Sequence, residues 1–506
     1  MSTAVVPAAP VVVSGQDAAE QRLRVTETHT ARLLFVDDRV LKWKRPVALG
    51  FVDFTTRESR LAACQAEVEL NRRLAPDVYL GVATLVDPAG DVVEPAVLMR
   101  RLPDAAKLSS LVRAGRDVSF EVERLAKVLA AFHAGCERVT EAAAVAGSEA
   151  LHRLWREGLD EIAGAPPDVL DPHLVADVRA LATSYLAGRD QLFRDRIDAG
   201  RVRDGHGDLL AEDIFCLRDG PRVLDCLDFD PGLRRGDVLG DVAFLAMDLE
   251  RLGAADMAGL LLRRYREHSG ETHPPSLEHL YVAYRAQVRS KVALVRAGQI
   301  VDPARRRPLV AEARRLLELT RRHLLAAEVR LVLVGGLPGT GKSTIAALLA
   351  ERTGAALHSS DAVRAELALP AEQRYDPASV DEVYRTMLDR ARAGLERGVS
   401  TVLDATWLDE RQRRAALEIA ARTASRLVEV QLTAPPELAL QRLARRGPSH
   451  ASDADADVYR LLRERADAWP EASQVSTDGD LADAVEEVVA RVERRPSAPL
   501  RPSALG

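Results

Sequence analysis

The chain has 506 residues, of which 47% are hydrophobic and 29% are charged, and its net charge is −6. This length predicts two to four domains with sizeable cores, and the charge favours neither nucleic acid nor an anionic membrane as a partner. Only six of its 70 basic residues are lysines, so a lysine within a motif indicates a site that needs a compact ammonium group. Four cysteines without metal-ligand spacing, and no apolar run long enough to span a membrane, predict a cytoplasmic protein.

The elements along the chain predict two domains with disordered ends. Residues 1–19 are expected to form a disordered leader, and residues 20–326 a first domain that begins β-rich and continues mostly helical. At about residue 327 an apolar strand, a Gly-rich turn and a helix follow one another, which predicts a parallel α/β domain extending to residue 490. The Pro/Ser-rich residues 491–506 are expected to form a disordered tail.

A predicted hairpin near the start of the first domain contains the stretch RVLKWKRP. Its Lys42 and Lys44 are two residues apart, so both are expected on one face of a strand. Only one of them is expected to reach a bound phosphate, and Lys42 is preferred because Lys44 abuts the RP exit. The helical stretch CQAEVELNRRL supplies Glu67, with Glu69 as the alternative, as the carboxylate that would orient this lysine.

The stretch RDGHGDLLAEDIF has the character of a kinase catalytic loop. Asp208 is the expected catalytic base, His206 is expected to shape the loop, and Asp213 is an expected ligand of Mg²⁺. The following stretch VLDCLDFD supplies Asp225 and Asp228 as further candidate metal ligands. Because these two are three residues apart on a predicted strand, they are expected on opposite faces, and Asp228 is favoured as the one that faces the cleft.

Residues 20–326 resemble the aminoglycoside-phosphotransferase-like kinases. The resemblance rests on HGDL and GDVAFLAMDLE, and it implies a bilobal α+β fold of the protein-kinase type in which Asp241 would brace the catalytic loop. Common members have Asn at the position of Asp213. A carboxylate still suits Mg²⁺, but it adds negative charge near the triphosphate, so an active kinase and a decayed pseudokinase both remain open.

A basic helix near the end of the first domain contains the stretch YRAQVRSKVALVR. It places Arg285 and Arg289 near one helical face. The resemblance implies that the C-terminal helices line the acceptor pocket, so these arginines favour an anionic small-molecule acceptor. A solvated helix face is the alternative.

The second domain begins with the stretch GLPGTGKST, which fits the Walker A pattern between an apolar strand and a helix. Lys342 would neutralise the phosphates of ATP, and Ser343 would ligate Mg²⁺. The residues expected at the phosphates are Gly336, Gly339, Thr340, Gly341, Lys342, Ser343 and Thr344.

Three downstream stretches indicate a small-molecule kinase. SSDAVR supplies Asp361 to accept or orient the substrate hydroxyl proton and Arg364 to bind the substrate. The strand VLD ends in Asp404, a Walker-B-like carboxylate for Mg²⁺. The stretch LQRLARRG supplies Arg442 and Arg446 as a lid that would clamp the phosphates. The alternatives are a helix N-cap for the aspartate and a solvated helix face for the arginines.

The second domain resembles the P-loop kinases related to gluconate kinase, polynucleotide kinase and zeta-toxin-type kinases, on GLPGTGKST, SSDAVR, VLDAT and RLARR. The order of the two domains resembles a class of bifunctional bacterial proteins of uncertain substrate. Together the resemblances imply an α/β multidomain, ATP- and Mg²⁺-dependent phosphotransferase with two nucleotide sites that acts on a small-molecule hydroxyl. The alternatives are an ATP-binding regulator with a pseudokinase first domain and a toxin-like kinase acting on sugar nucleotides.

Overall fold

The computed structural model describes residues 24–27, 30–49, 52–87, 91–368, 376–445 and 456–494. These residues form two compact units. The first contains the described residues up to Val175, Asp195–His273 and Leu280–His323. The second contains Ala176–Arg194, Pro274–His279 and the described residues from Leu324 onward. The sequence-based boundary between 326 and 327 lies near the start of this last segment, but it assigns the two short segments to the first domain.

Before residue 327 the chain begins with a β-rich region and continues with a long, mostly helical region. The strands are β1 (Arg24–Glu27), β2 (Ala31–Val36), β3 (Arg39–Lys44), β4 (Ala48–Leu49), β5 (Val52–Asp53), β6 (Tyr79–Val86), β7 (Val92–Arg100), β8 (Val202–Asp204), β9 (Ile214–Leu217), β10 (Gly220–Val223) and β11 (Arg235–Asp237). The helices are α1 (Arg57–Asn71), α2 (Leu108–Arg113), α3 (Ser119–Gly135), α4 (Ala142–Ala146), α5 (Ser148–Ala163), α6 (Pro172–Ala187), α7 (Asp190–Asp198), α8 (Pro231–Arg234), α9 (Val238–Arg251), α10 (Ala255–Ser269), α11 (Pro275–Gly298) and α12 (Pro303–Ala326).

The first unit contains a five-stranded antiparallel sheet in the order β1-β2-β3-β7-β6. The predicted hairpin is confirmed as β2 and β3, with Asp37 at its turn in the left-handed region at φ 47°. Helix α1 begins after Thr56, whose side chain accepts a hydrogen bond from the Ser59 N–H. Cys64 and Val68 of this helix pack on the sheet, which fixes the face of α1 that looks toward β3.

The predicted catalytic loop connects β8 to β9 in the helical part of the first unit. Strand β8 pairs with β11, and β9 forms a hairpin with β10, so both ends of the loop are held by short antiparallel pairs. Helix α9 follows β11 and begins after Asp237, whose side chain accepts from the Leu239 N–H. Residues 238–249 of α9 are all buried, so this helix is a rigid support for the loop. The predicted bilobal α+β fold is therefore confirmed.

The second unit is built mainly from the chain after residue 326. Its strands are β12 (Arg330–Gly335), β13 (Ala356–Ser359), β14 (Thr401–Asp404), β15 (Arg426–Thr433) and β16 (Ser473–Ser476). Its further helices are α13 (Lys342–Thr353), α14 (Ser360–Glu366), α15 (Pro377–Leu395), α16 (Glu410–Arg422), α17 (Pro436–Ala444), α18 (Ala456–Glu464) and α19 (Leu481–Glu493). The predicted leader and residues 495–506 lie outside the described residues, and α19 includes the first three residues of the predicted tail.

The sheet of the second unit is parallel and has the order β13-β14-β12-β15-β16. Strand β12 is central, and all of its residues except Arg330 are buried, because a parallel strand is covered on both faces. The carboxyl ends of β12, β13 and β14 meet at one edge, where the phosphate-binding turn begins. The predicted parallel α/β domain is therefore confirmed.

The segments 176–194 and 274–279 are integral parts of the second unit. The fully buried Arg189 donates to the backbone carbonyl of Thr423 at 2.6 Å and stacks on the Tyr185 ring. Ser276 donates to the Gly398 carbonyl at 2.7 Å and lies 3.1 Å from the Tyr185 hydroxyl. These buried polar contacts join both short segments to the later part of the chain. The second unit therefore includes residues from the middle of the sequence as well as its C-terminal part.

No helix within the described ranges is both long enough and apolar enough to cross a membrane.

Candidate active sites

The two lysines of β3 share one buried carboxylate in the first unit. Glu67 of α1 is 1% exposed, and its two oxygens lie 2.8 Å from the Lys42 ammonium and 2.9 Å from the Lys44 ammonium. Burial alone would favour protonated Glu67, but the two ammonium charges outweigh it and lower its pKa. The strand alternation thus places both lysines on one face as predicted, and the structure brings Glu67 to them.

Asp225 and Asp228 both face this lysine pair, so the prediction that they point to opposite faces is wrong. Asp225 lies 2.7 Å from the Lys42 ammonium, and Asp228 lies 2.7 Å from the Lys44 ammonium. The chain leaves the strand after Val223, and Asp225 adopts a left-handed φ of 63°, which breaks the alternation. The two pairs differ in exposure, since the Asp225 side chain is 55% exposed and that of Asp228 is 12% exposed.

The catalytic-loop backbone is held by carboxylates of α9. The Asp241 carboxylate accepts from the N–H groups of His206 and Gly207 at 2.6 and 2.9 Å, which confirms its predicted bracing position. Asp248, two turns further along α9, accepts from the Ala211 N–H at 2.9 Å. Two buried carboxylates on one rigid helix therefore fix the loop on both sides of Asp208.

The catalytic loop and the segment that carries Asp225 are joined by backbone hydrogen bonds. The Leu227 N–H donates to the His206 carbonyl at 3.0 Å, and the Leu224 N–H donates to the Asp213 carbonyl at 2.9 Å. These bonds place Asp225 between the two ends of the loop. Asp225, whose charge raises the pKa of Asp213, is thus the aspartate that shares a site with Asp213, whereas the Asp228 side chain pairs with Lys44 and is only 12% exposed, which reverses the preference drawn from the sequence.

The three carboxylates of this site differ in their affinity for protons. Burial raises the pKa of Asp208 to about 6, and the neighbouring Asp225 adds to the rise. Burial, together with the charges of Asp225 and Glu212, raises the pKa of Asp213 well above its usual range. The Lys42 ammonium lowers the pKa of Asp225. A site with clustered carboxylates of unequal pKa is typical of acid–base and metal-dependent catalysis.

The donor set at Asp213 and Asp225 fits Mg²⁺. This hard cation takes oxygen ligands and is commonly held by one or two carboxylates together with substrate phosphates. Burial and, after it, the neighbouring carboxylate charges raise the pKa of Asp213, and a divalent cation would offset those charges. Among the described residues, no group of three or more His, Cys, Asp and Glu side chains is arranged to hold a metal ion by itself.

Arg285 of α11 lies against α9, the helix whose carboxylates hold the catalytic loop. Arg285 donates to the Gly240 carbonyl at 3.1 Å, lies 3.9 Å from the Asp241 carboxylate and stacks on the Phe244 ring at 4.7 Å. The charge of Arg289 opposes the burial that raises the pKa of Asp208, and Arg285 adds to this effect. Both guanidinium groups are partly exposed. That the basic face of α11 lines an acceptor pocket stays a prediction.

The phosphate-binding turn of the second unit requires its glycines. Gly336 has φ 138° and Gly339 has φ 83°, and a Cβ at either would lie 2.4 or 2.5 Å from a backbone carbonyl oxygen. Gly341 has φ 83° and precedes α13, which begins at Lys342. Backbone N–H groups of such a turn at a helix N-terminus form an anion site. The Lys342 ammonium lies 3.5 Å from the Leu337 carbonyl, inside the turn.

The other predicted residues of the second unit lie where β13 and β14 end. Asp404 is buried, and burial raises its pKa, while Lys342 and a hydrogen bond from Ser343 act in the opposite direction. Asp361 contributes a like charge to Asp404, and Arg364 pairs with Asp361 at 2.5 Å. The structure therefore brings the predicted lysine, hydroxyl and carboxylates together at the mouth of the turn.

The contacts of Arg442 differ from those expected of a residue in a mobile lid. Its guanidinium donates to the Thr477 carbonyl at 2.6 Å and to the Thr477 hydroxyl at 3.0 Å, and that hydroxyl donates to the Thr340 carbonyl at 2.9 Å. Arg442 thus braces the phosphate-binding turn from behind. Arg446 lies outside the described residues. Thr344 is exposed on the first turn of α13.

Sequence reasoning missed several supporting residues of the first unit. Asn71 of α1 accepts from the Cys226 N–H at 2.9 Å, and the Tyr79 hydroxyl accepts from the Asp225 N–H at 3.2 Å. Asn71 lies four residues after Glu67, on the same helical face, so this spacing was a signal available in the sequence. Asp248 carried no such signal, because only the tertiary fold brings α9 to the catalytic loop.

Known proteins match each part of the chain. The AAA domain family profile matches residues 331–469, which confirms the predicted P-loop domain. The match to a choline/ethanolamine kinase family protein from Mesorhizobium loti covers 60% of this chain and 92% of that protein, with 18% identity and a TM-score of 0.38. The match to a sugar kinase from Janibacter sp. covers 33% of this chain and 95% of that protein, with 22% identity and a TM-score of 0.26.

The relatives that match along most of the chain come from mycobacteria. Proteins of Mycobacterium tuberculosis and Mycobacterium bovis, both named only as uncharacterized, are 40% identical over 470 residues. The match covers 91% of this chain and 93% of each relative. The chain therefore belongs to the family of these mycobacterial proteins.

Proposed function

We propose that the chain is an ATP- and Mg²⁺-dependent phosphotransferase with one nucleotide site in each unit. The observation that carries this proposal is the assembly in the first unit of Lys42, Glu67, Asp208, Asp213 and Asp225 around one loop and one strand. The second site rests on the glycine-dependent turn of the second unit. The acceptors are proposed to be small-molecule alcohols, with neither nucleic acid nor a membrane as a partner.

In the first unit Asp208 is proposed to accept the proton of the acceptor hydroxyl. The acceptor oxygen then bonds to the γ-phosphorus, the bond between that phosphorus and the bridging oxygen breaks, and ADP leaves. Lys42 would hold the phosphates while Glu67 keeps its position. Mg²⁺, when bound at Asp213 and Asp225, would offset the negative charge of the phosphates. Positioning and charge therefore account for most of the chemistry.

In the second unit Lys342 and the backbone N–H groups of the turn would bind the β- and γ-phosphates. Ser343 and Asp404 would hold Mg²⁺. Asp361, paired with Arg364, is proposed to orient the acceptor hydroxyl.

The cysteines of the described residues are free thiols, which supports a reducing, cytoplasmic location.

The acceptor of the first unit is proposed to be anionic. The charges of Arg289 and Arg285 oppose the burial that raises the pKa of Asp208, which supports a place for them near the position that the reacting hydroxyl would approach. No hydrogen bond or ion pair to the Arg289 side chain is found within the described part of the chain. A carboxylate or phosphate group of an acceptor would supply the partner that this guanidinium lacks.

The test of the proposed function uses the full-length chain with labelled ATP and a metabolite extract. Each unit is expected to transfer label to its own acceptor. Asp208→Asn should remove only the product of the first unit, and Lys342→Ala should remove only that of the second. Absence of any labelled compound with the parent protein, under conditions in which it binds ATP, would favour an ATP-binding regulator.

Replacement of Arg289 should alter both acceptor affinity and the pH profile. In Arg289→Gln the KM for an anionic acceptor should rise by roughly tenfold, as expected for the loss of one charged hydrogen bond. The acidic limb of the activity profile should move to higher pH, because the guanidinium stabilises ionised Asp208. Arg296→Gln, an exposed site on the same helix, is the matched control. An unchanged profile would contradict the placement of Arg289.

Replacement of Asp213 distinguishes an active kinase from a pseudokinase. If Asp213 is a metal ligand, Asp213→Asn should keep or raise turnover. The amide oxygen of Asn can still ligate Mg²⁺, and the substitution removes one negative charge from the site. Asp213→Ala should instead raise the Mg²⁺ concentration needed for half-maximal turnover by roughly tenfold or more. Equal Mg²⁺ dependence of the two variants would support the pseudokinase alternative.

A further inference from the structure

Glu67 and the four charged groups around it form two parallel bridges between helix α1 and the segment 225–228. One bridge runs from Glu67 through Lys42 to Asp225, and the other runs from Glu67 through Lys44 to Asp228. Each lysine contacts a different oxygen of the same carboxylate. A single lysine would suffice to bind phosphates, so phosphate binding does not explain why the second bridge, through Lys44, is present.

The two bridges differ in their access to ligands. The side chains of Lys44 and Asp228 are 6% and 12% exposed, and the Lys44 ammonium also lies 5.6 Å above the Phe54 ring. The side chains of Lys42 and Asp225 are 16% and 55% exposed, at the site that contains Asp208 and Asp213. A buried ion pair is costly to separate, because each charge would lose its partner without gaining water. A partly exposed pair separates at lower cost.

We infer that the Lys42–Asp225 pair exchanges its partners when nucleotide and metal bind, whereas the Lys44–Asp228 pair stays closed and positions Glu67 and the segment 225–228. This inference rests on the proposed nucleotide site of the first unit. Lys42 would turn to the phosphates and Asp225 to Mg²⁺, while Glu67 keeps its bond to Lys44. Lys44 is therefore a positioning residue, and it allows Lys42 to be shared between Glu67 and ATP.

The exchange has a thermodynamic consequence for binding. Without Mg²⁺, a nucleotide must compete with Asp225 for Lys42 and must also approach the negative charge of Asp225. With Mg²⁺, the metal takes Asp225 and frees Lys42, so nucleotide and metal favour each other's binding. Neutralising Asp225 should thus have opposite effects on nucleotide affinity in the two conditions. Neutralising Asp228, which is three residues away and whose side chain is only 12% exposed, should not.

The test is a calorimetric titration of the full-length chain with a non-hydrolysable ATP analogue. A Lys342→Ala background weakens binding at the second unit, so that the tighter binding reports on the first, and each variant is titrated with excess Mg²⁺ and with a chelator. Asp225→Asn should bind the metal-free analogue roughly three- to fivefold more tightly than its parent, the scale of a half-exposed ion pair. With Mg²⁺ the same variant should bind more weakly than its parent. Asp228→Asn should change both affinities in the same direction.

Lys44→Met tests the positioning role, with the exposed Lys127→Met as the matched control. Lys44→Met should weaken analogue binding by roughly tenfold or more in both conditions, because buried Glu67 then retains Lys42 for itself. If Lys44→Met fails to fold, the two isosteric Asn variants still decide the question. Identical behaviour of those Asn variants, or an inversion at Asp228 instead, would overturn the inference. Absence of binding in the Lys342→Ala parent would overturn the proposed function of the first unit, and this inference with it.

Discussion

Asp208→Asn should reduce phosphoryl transfer by the first unit by roughly 10²- to 10⁴-fold, the contribution of a positioned general base. Nucleotide affinity should remain nearly unchanged, because Lys42, Asp213 and Asp225 are untouched. In the parent, turnover should rise with pH around 6 and level off above it, since the pKa of Asp208 is about 6 and only the ionised form accepts a proton. Turnover and ATP affinity measured across this range check both statements.

Glu212→Gln is the control for the change of charge. It removes one carboxylate from the same loop, but the Glu212 side chain is exposed. Its turnover should stay close to that of the parent, with the acidic limb moved slightly to lower pH because Glu212 helps to raise the pKa of Asp208. Equal turnover in Asp208→Asn and the parent would show that another group accepts the proton.

Lys342→Ala should lower nucleotide affinity at the second unit by roughly ten- to a hundredfold, the loss expected for one hydrogen bond to a charged group. The backbone N–H groups of the turn remain, so binding is weakened and transfer by this unit falls with it. Arg352→Ala, at the other end of α13, is the control, because Arg352 pairs with Glu486 and lies about 15 Å along the helix axis. Equal losses in both variants would indicate a general defect of the helix.

The parts of the sites that follow from local chain geometry were predictable from the sequence. The phosphate-binding turn is encoded by glycines whose φ values and close carbonyl contacts other residues do not tolerate, so its signature is contiguous. Lys42 and Lys44 share a face because strand side chains alternate. Asp241 was identified through a resemblance, and the two hydrogen bonds that its carboxylate accepts agree with that identification.

The errors arose where tertiary contacts set the local conformation. Asp225 and Asp228 do not alternate, because Tyr79 and Asn71 hold the backbone of this segment after the strand has ended. The assignment of residues 176–194 to the second unit depends on Arg189 reaching a carbonyl more than 200 residues away in sequence. Sequence periodicity carries no information about such distant partners.

The central claim is that one chain holds two nucleotide sites, and nucleotide stoichiometry tests it most directly. Calorimetric titration of the full-length chain with a non-hydrolysable ATP analogue and Mg²⁺ should give two nucleotides per chain. Lys342→Ala should weaken the binding of one of them by roughly ten- to a hundredfold and leave the affinity of the other unchanged, and Lys42→Ala should weaken only the other. A stoichiometry of one in the parent, lost in either variant, would contradict the account.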